Sequence, residues 1–335
     1  MAPIKVPSDL PGLVSAAFEK ARASGHVNFY PTQVALLDVN SIPFQLRFSP
    51  SLANKPKPPT TSTTSTTTST TTISTTTTPI NPFINPDPAL LINPLPPLHR
   101  LLLNKFAIVP EHFLLVTTAF HPQTNLLTAA DLAATHACIA AYPPPTPLFA
   151  FFNSGPHSGA SQPHRHVQLL PVARMQEDLD LDVVGGGGRG WDVLAGRMAE
   201  DGGRLPFAAF AGAVAPGMDG AALQGVYLRL YGQACAAAGV TWDGEEEDGE
   251  ARISYNMAMT REVMVVVPRM AEGAEVTAGG EVVGKLALNG TLLAGTALVK
   301  SQAEWDALRG DPGQVFEVLR RIGVPNQSDD RGARI

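Results

Sequence analysis

Two histidines and a glutamine spaced by two, His164, His166 and Gln168, follow a run of small polar residues, Asn153-Ser-Gly-Pro-His-Ser-Gly-Ala-Ser-Gln-Pro163. On an extended strand, side chains two apart share a face. The triplet therefore projects together, while Val167 and Leu169 turn to the core. Three polar groups on one face of an otherwise apolar strand are costly to place without a use. In the preceding run, glycine lets backbone N–H groups approach a ligand, and Ser, Asn and Gln add donors. Such a loop suits phosphate oxygens without needing net positive charge; taken alone, it is equally a surface turn.

Two chemistries could use this face. H-x-H is a frequent metal-ligand pair. A metal would also want a nearby carboxylate, and none occurs between His166 and Gln176; the next acid is Glu177. Gln168 is a poor substitute, and His99, His112 and His121 are distant in sequence. No metal site is assigned on this basis. The stronger alternative is nucleophilic attack by a neutral imidazole on phosphorus, with the donor loop stabilising the equatorial oxygens. On that reading the candidate catalytic residues are His166, His164 and Gln168.

Such a strand needs neighbours. Phe113 to Thr118, Leu148 to Phe152 and His166 to Val172 read as buried strands. A helix is expected from about Ala129 to Ala141, opened by Thr128 with Asp131 in its first turn and stopped by Pro143 to Pro145. Ala221 to Ala238 reads as helix. Ile253 to Met259 and Val263 to Val267 read as a hairpin turning at Thr260 to Glu262. Ser301 with Glu304 forms a capping box, and Asp311-Pro312 opens a last helix that Gly323 closes. Together these predict an α+β fold: a mostly antiparallel sheet, flanking helices and irregular insertions. Two regions are expected, 1–190 carrying the loop and signature strand, and 200–326 packed on the same sheet. The Thr-rich stretch 58–79 reads as a disordered insertion. Asn81 to Pro97 reads as an ordered irregular crossing, Gly185 to Gly190 as a flexible loop, and Asp243 to Glu250 as an acidic surface turn.

The 335 residues carry a net charge of −6, which argues against a nucleic-acid partner. Two cysteines, Cys138 and Cys235, in apolar surroundings exclude a disulfide framework and read as buried thiols. No apolar run approaches the ~20 residues of a membrane helix, and Met1 to Lys20 lacks a signal-peptide core. The expected location is the cytoplasm, with the nucleus left open.

His164-Arg-His-Val-Gln168 resembles the H-x-H-x-Q signature of the transferase branch of the histidine triad superfamily. The wider string Asn153-Ser-Gly-Pro … Ser158-Gly-Ala-Ser-Gln-Pro-His-Arg-His166 resembles the fungal-type diadenosine tetraphosphate phosphorylases (ATP adenylyltransferases). Leu102-Leu-Asn-Lys-Phe106, Val109-Pro-Glu-His-Phe-Leu-Leu-Val-Thr117, Ser254-Tyr-Asn-Met257, Val263 to Arg269, Ala294-Gly-Thr296 with Leu298-Val-Lys300, and Ser49 to Lys55 are similar to further blocks of that family. The resemblance implies a HIT-like fold. It also implies that His166 takes AMP and that Gln168 binds phosphate without titrating. Asn153, Gly159, Ser161 and Gln162 would form the phosphate loop, with Lys300 and Lys55 near the polyphosphate. The implied reaction is reversible phosphorolysis of the tetraphosphate to ATP and ADP. No covalently held cofactor is implied, and Mg²⁺ accompanying the nucleotide is left open. The chain is expected to be a monomer or weak oligomer whose partners are nucleotides and phosphate. Other superfamily nucleotidyltransferases, a dinucleoside polyphosphate hydrolase and a catalytically silent nucleotide sensor are the alternatives. Leu293 stands where an aromatic is common in the family, implying a differently shaped pocket there. Because the nucleophile works as neutral imidazole, activity is expected to fall as pH drops well below the ordinary histidine pKa of ~6.5.

Overall fold

The protein is described by a computed structural model covering residues 4–54, 60–64, 75–79, 81–177, 179, 190–244 and 247–326. Its strands are β1 (Gln33–Val39), β2 (Ile42–Phe48), β3 (Thr60–Thr64), β4 (Thr75–Pro79), β5 (Leu91–Leu95), β6 (His99–Leu103), β7 (Phe113–Thr117), β8 (Leu148–Ser154), β9 (His166–Pro171), β10 (Phe210–Ala213), β11 (Tyr255–Met259), β12 (Val263–Pro268), β13 (Gly273–Ala278), β14 (Glu281–Ala287) and β15 (Thr296–Val299). Its helices are α1 (Leu10–Ala23), α2 (Ala129–Ala140), α3 (Val172–Gln176), α4 (Met198–Asp201), α5 (Gly220–Ala237), α6 (Gln302–Gly310) and α7 (Gly313–Ile322).

An eight-stranded sheet in the order β10-β12-β11-β8-β9-β7-β6-β5 organises the molecule. Every neighbouring pair in it is antiparallel. The strand bearing the signature thus lies in the middle. Strands buried on both faces read as continuous apolar runs, which is why β7 and β8 were legible. Phe113, Leu115, Phe152, Val167, Leu169 and Met257 join α2 and α5 in one core. Phe149, Phe151, Leu170, Val265 and Val267 face a second core. That core is filled by β1, β2 and β15, the β13–β14 hairpin, α6 and α7. β15 runs parallel to β2, the one departure from antiparallel pairing among the described ladders.

Helix starts follow local chemistry. Thr128 and Asp131 form a reciprocal capping box on α2, and Ser301 and Glu304 form one on α6. Gly323 follows α7 directly. The β11–β12 hairpin turns where expected, with the Thr260 N–H donating to Val263 O at 2.9 Å.

Two expectations are corrected. Asn81 to Pro97 is not wholly irregular: β5 lies within it as the outermost strand of the large sheet, with a register shift between Leu91 and Asn93. Pro94 is tolerated there because an edge strand has one unpaired side. The Thr-rich stretch includes a two-stranded antiparallel ribbon, β3 with β4. β-branched threonines favour extended backbone, so local pairing overrides a purely compositional reading. Residues 55–59, 65–74 and 80, and the glycine-loop residues 185–189, lie outside the described residues, as do 245–246 of the acidic turn.

Candidate active site

β9 sits between β7 and β8, with His166 opposite Val116 and Gln168 between Leu114 and Phe151. His166 is 3% exposed. The side chain of Gln123 clamps its backbone. Gln123 Oε1 accepts from the His166 N–H at 2.8 Å. Gln123 Nε2 donates to the carbonyls of His166 at 3.2 Å and Asn153 at 2.8 Å. One amide thereby holds the strand and the start of the loop together. His166 Nδ1 lies 2.8 Å from the His164 carbonyl. A carbonyl only accepts, so Nδ1 carries the proton and Nε2 keeps its lone pair. Burial holds the His166 imidazole down at about 4, against the raising effect of its hydrogen bond to the His164 carbonyl. The ring is neutral near neutral pH, which is the nucleophilic form.

His164 is fully buried, but its ring does not share the reactive space. Nε2 meets the Thr117 carbonyl and hydroxyl at 2.9 Å each, and Nδ1 accepts from Asn81 Nδ2 at 3.0 Å. His164 therefore acts on His166 through its carbonyl. With both ring nitrogens taken, the two histidines do not form a ligand pair. Among the described residues, no group of three His, Cys, Asp or Glu is arranged to hold a metal ion. Between them in sequence, Arg165 turns to the other side and pairs with Asp131 at 2.9 Å, which also takes His99 Nε2 at 2.7 Å. Against the push of burial, these partners hold the Asp131 carboxyl at about 2. The buried triad ties the signature strand to the start of α2. Phe83 packs over the site, its ring centroid 5.2 Å from that of His166.

Gln168 is half-buried, and its Oε1 takes His112 Nε2 at 2.6 Å. Asn153 is arranged in the same sense on the other side. Its Oδ1 accepts from the Gly290 N–H at 2.8 Å and from Asn256 Nδ2 at 2.9 Å. Asn256 Oδ1 in turn accepts from Arg269. Arg269 also reaches the carbonyls of Ala271, Glu272 and Leu288. Burial pulls that guanidinium down to about 10, still charged at neutral pH. The loop between Asn153 and His166 is pinned in its first part. Asn256 Nδ2 donates to Ser158 O at 2.9 Å, and the His157 N–H donates to Ser254 Oγ at 3.2 Å. Gly159 has φ +77°, and a Cβ there would sit 2.7 Å from Asn289 Cβ. Only glycine fits.

The structure thus brings His166, Gln168, Asn153 and Gly159 into one region. Ser161 is exposed and Gln162 half-buried, and neither side chain has a hydrogen bond among the described residues. Lys300 lies exposed just past β15, its backbone N–H directed to Glu304 Oε2 at 3.3 Å. Lys55 lies outside the described residues. Leu293 is fully buried in the second core, so it fills that core rather than shaping an open pocket. Gln123, Asn256 and Arg269 were not singled out as site residues from sequence, and His112 only as a distant ligand candidate. Their partners lie 43 and 103 residues away for Gln123 and Asn256, and 56 for His112. No local pattern could mark them.

A buried neutral imidazole beside a loop of amide and backbone donors defines a site for transfer chemistry on phosphorus. Two family matches cover most of the chain: the Ap4A phosphorylase N-terminal domain over residues 2–184 and the ATP adenylyltransferase C-terminal domain over 203–325. The chain belongs to this Ap4A phosphorylase family and is a nucleotidyltransferase. Its relatives include Saccharomyces cerevisiae Protein APA1, 25% identical across 98% of both chains. Diadenosine 5',5'''-P1,P4-tetraphosphate phosphorylase 2 of the same yeast is 27% identical across 94% of both. The crystal structure of yeast Ap4A phosphorylase Apa2 superposes with a TM-score of 0.73 at 25% identity, covering 96% of this chain and 100% of that one. Its complex with AMP gives a TM-score of 0.71 at 26% identity, covering 97% and 99%.

Proposed function

We propose that this protein catalyses phosphorolysis of diadenosine tetraphosphate through an adenylylated His166. Nε2 attacks the phosphorus of one AMP moiety, a P–N bond forms, and the bond to the bridging oxygen breaks to release ATP. Inorganic phosphate then attacks the same phosphorus, the P–N bond breaks, and ADP leaves with Nε2 restored. Both steps are reversible. The observation that carries this reading is the His166 ring itself: Nδ1–H is tied to the His164 carbonyl, Nε2 has no protein partner among the described residues, and burial keeps it neutral. Gln168 and Asn153 offer amide nitrogens to the phosphoryl oxygens, where charge is concentrated in transfer. Relatives bearing the tetraphosphate phosphorylase name, and a solved relative holding AMP, support the substrate class. The loop residues Gly159, Ser161 and Gln162 contact the polyphosphate in this reading, and Lys55 and Lys300 neutralise part of its charge.

Intact-mass measurement tests it. Protein mixed with diadenosine tetraphosphate and no phosphate gains one adenylyl group, and added phosphate discharges it as ADP. His166→Ala gains none. Nucleotide binding without any adduct on the wild-type protein would sink the reading in favour of a sensor.

A further inference from the structure

The orientation of Gln168 traces back to a group that has no choice of orientation. In the turn after β6, the Phe106 backbone N–H donates to Asn104 Oδ1 at 3.0 Å. A backbone N–H can only donate, so the Asn104 amide must direct its nitrogen the other way. That nitrogen donates to His112 Nδ1 at 3.2 Å. Nδ1 is then an acceptor, and the ring proton sits on Nε2. Nε2–H donates to Gln168 Oε1 at 2.6 Å. A second bond, from the Asn104 backbone N–H to the His112 carbonyl at 2.9 Å, holds this turn against the start of β7. With its oxygen taken, Gln168 has only its NH2 group to offer.

We propose that His112 is a positioning residue: relaying direction from the Phe106 amide through Asn104, it locks the Gln168 amide with its nitrogen toward the phosphoryl oxygens. The proposal rests on the adenylyl-transfer reading and extends it to a residue outside the signature. A free amide would spend part of its time presenting its oxygen to an anion, and turning it would cost reorganisation in each transfer step. A donor fixed beforehand avoids that cost. His112 is 7% exposed, and burial holds it down at about 4, so the neutral ring that the relay requires persists at neutral pH.

NMR of the full chain labelled with ¹⁵N-histidine reads the relay directly, with His112 assigned by its loss in His112→Gln. The expected result is His112 as the Nε2–H tautomer and His166 as the Nδ1–H tautomer. A charged or Nδ1–H His112 at neutral pH would overturn the relay. Kinetics test its purpose. His112→Leu should lower kcat about 10- to 100-fold, the worth of one hydrogen bond to a charged group, with KM little changed. His112→Gln, whose amide nitrogen can reach the place of Nε2, should restore most of that loss. Adding His112→Leu to Gln168→Ala should cost nothing further. Equal losses in both backgrounds, or no rescue by glutamine, would overturn the proposal in favour of a structural role. The mass experiment separates the two failures. An adduct on the wild type with the wrong His112 tautomer sinks the relay alone; no adduct sinks the transfer reading whatever the tautomer.

Discussion

At the start of β9 and just before it, the backbone of His166 and both ring nitrogens of His164 are engaged inside the protein, by Gln123, Thr117 and Asn81. In the preceding loop, Ser161 is exposed and Gln162 half-buried, with their side chains uncommitted among the described residues. The strand therefore bears its chemistry ready made, and its cost was met in folding. On the proposed reading, the loop's later donors are ordered by the substrate, and that cost falls on binding. Changes on the strand should act on kcat and stability, and changes at the loop tip on KM.

The sharpest way to break this contrast is His166→Ala, expected to lower turnover by roughly 10⁴-fold or more, as removal of a nucleophile does. Circular dichroism should report an unchanged fold, and a residual rate within tenfold of wild type would place the nucleophile elsewhere. Next comes Gln123→Leu. It strands the buried N–H of His166, so a stability loss of about 1–3 kcal/mol in denaturant titration should accompany a drop in kcat. Loss of affinity alone, with kcat and stability intact, would move Gln123 to the substrate side of the comparison.

Titration probes the same burial. Unfolded histidine takes up a proton near pH ~6.5, whereas His112 and His166 in the fold resist until about 4. As pH falls through that window the unfolded chain binds protons first. Stability should therefore decline from about 6.5 toward 4 and then level off, by on the order of 2–3 kcal/mol for each histidine. The acid limb of single-turnover adenylylation should likewise lie nearer 4 than the 6.5 expected from sequence. A limb at 6.5 with flat stability would mean the site is wetter than its geometry. The smallest effect is expected at the loop tip: Ser161→Ala should raise KM about two- to fivefold at nearly constant kcat, the worth of a single neutral hydrogen bond. A kcat loss there as large as at Gln123 would erase the distinction between the two halves.

The strands, capped helices and signature were legible because each is local. Apolar runs mark β7 and β8, Thr128 with Asp131 and Ser301 with Glu304 mark helix starts, and the spacing of His164, His166 and Gln168 marks one line of polar groups. The edge strand β5 was not, because proline content masks pairing that only an edge position permits. The shared face of His164 and His166 was half legible: spacing placed them together, but the strand begins at His166, and the His164 ring is drawn off to Asn81 and Thr117.

By itself, then, the amino-acid order determined which residue types stand on the signature strand, where helices start, and that strands and helices combine in an α+β fold. Tertiary structure alone decided how the ring nitrogens of each histidine are engaged and which way each amide faces. Those outcomes depend on hydrogen bonds between residues tens of positions apart, set by strand register and by donors such as the Phe106 N–H and Arg269 that cannot reverse their polarity.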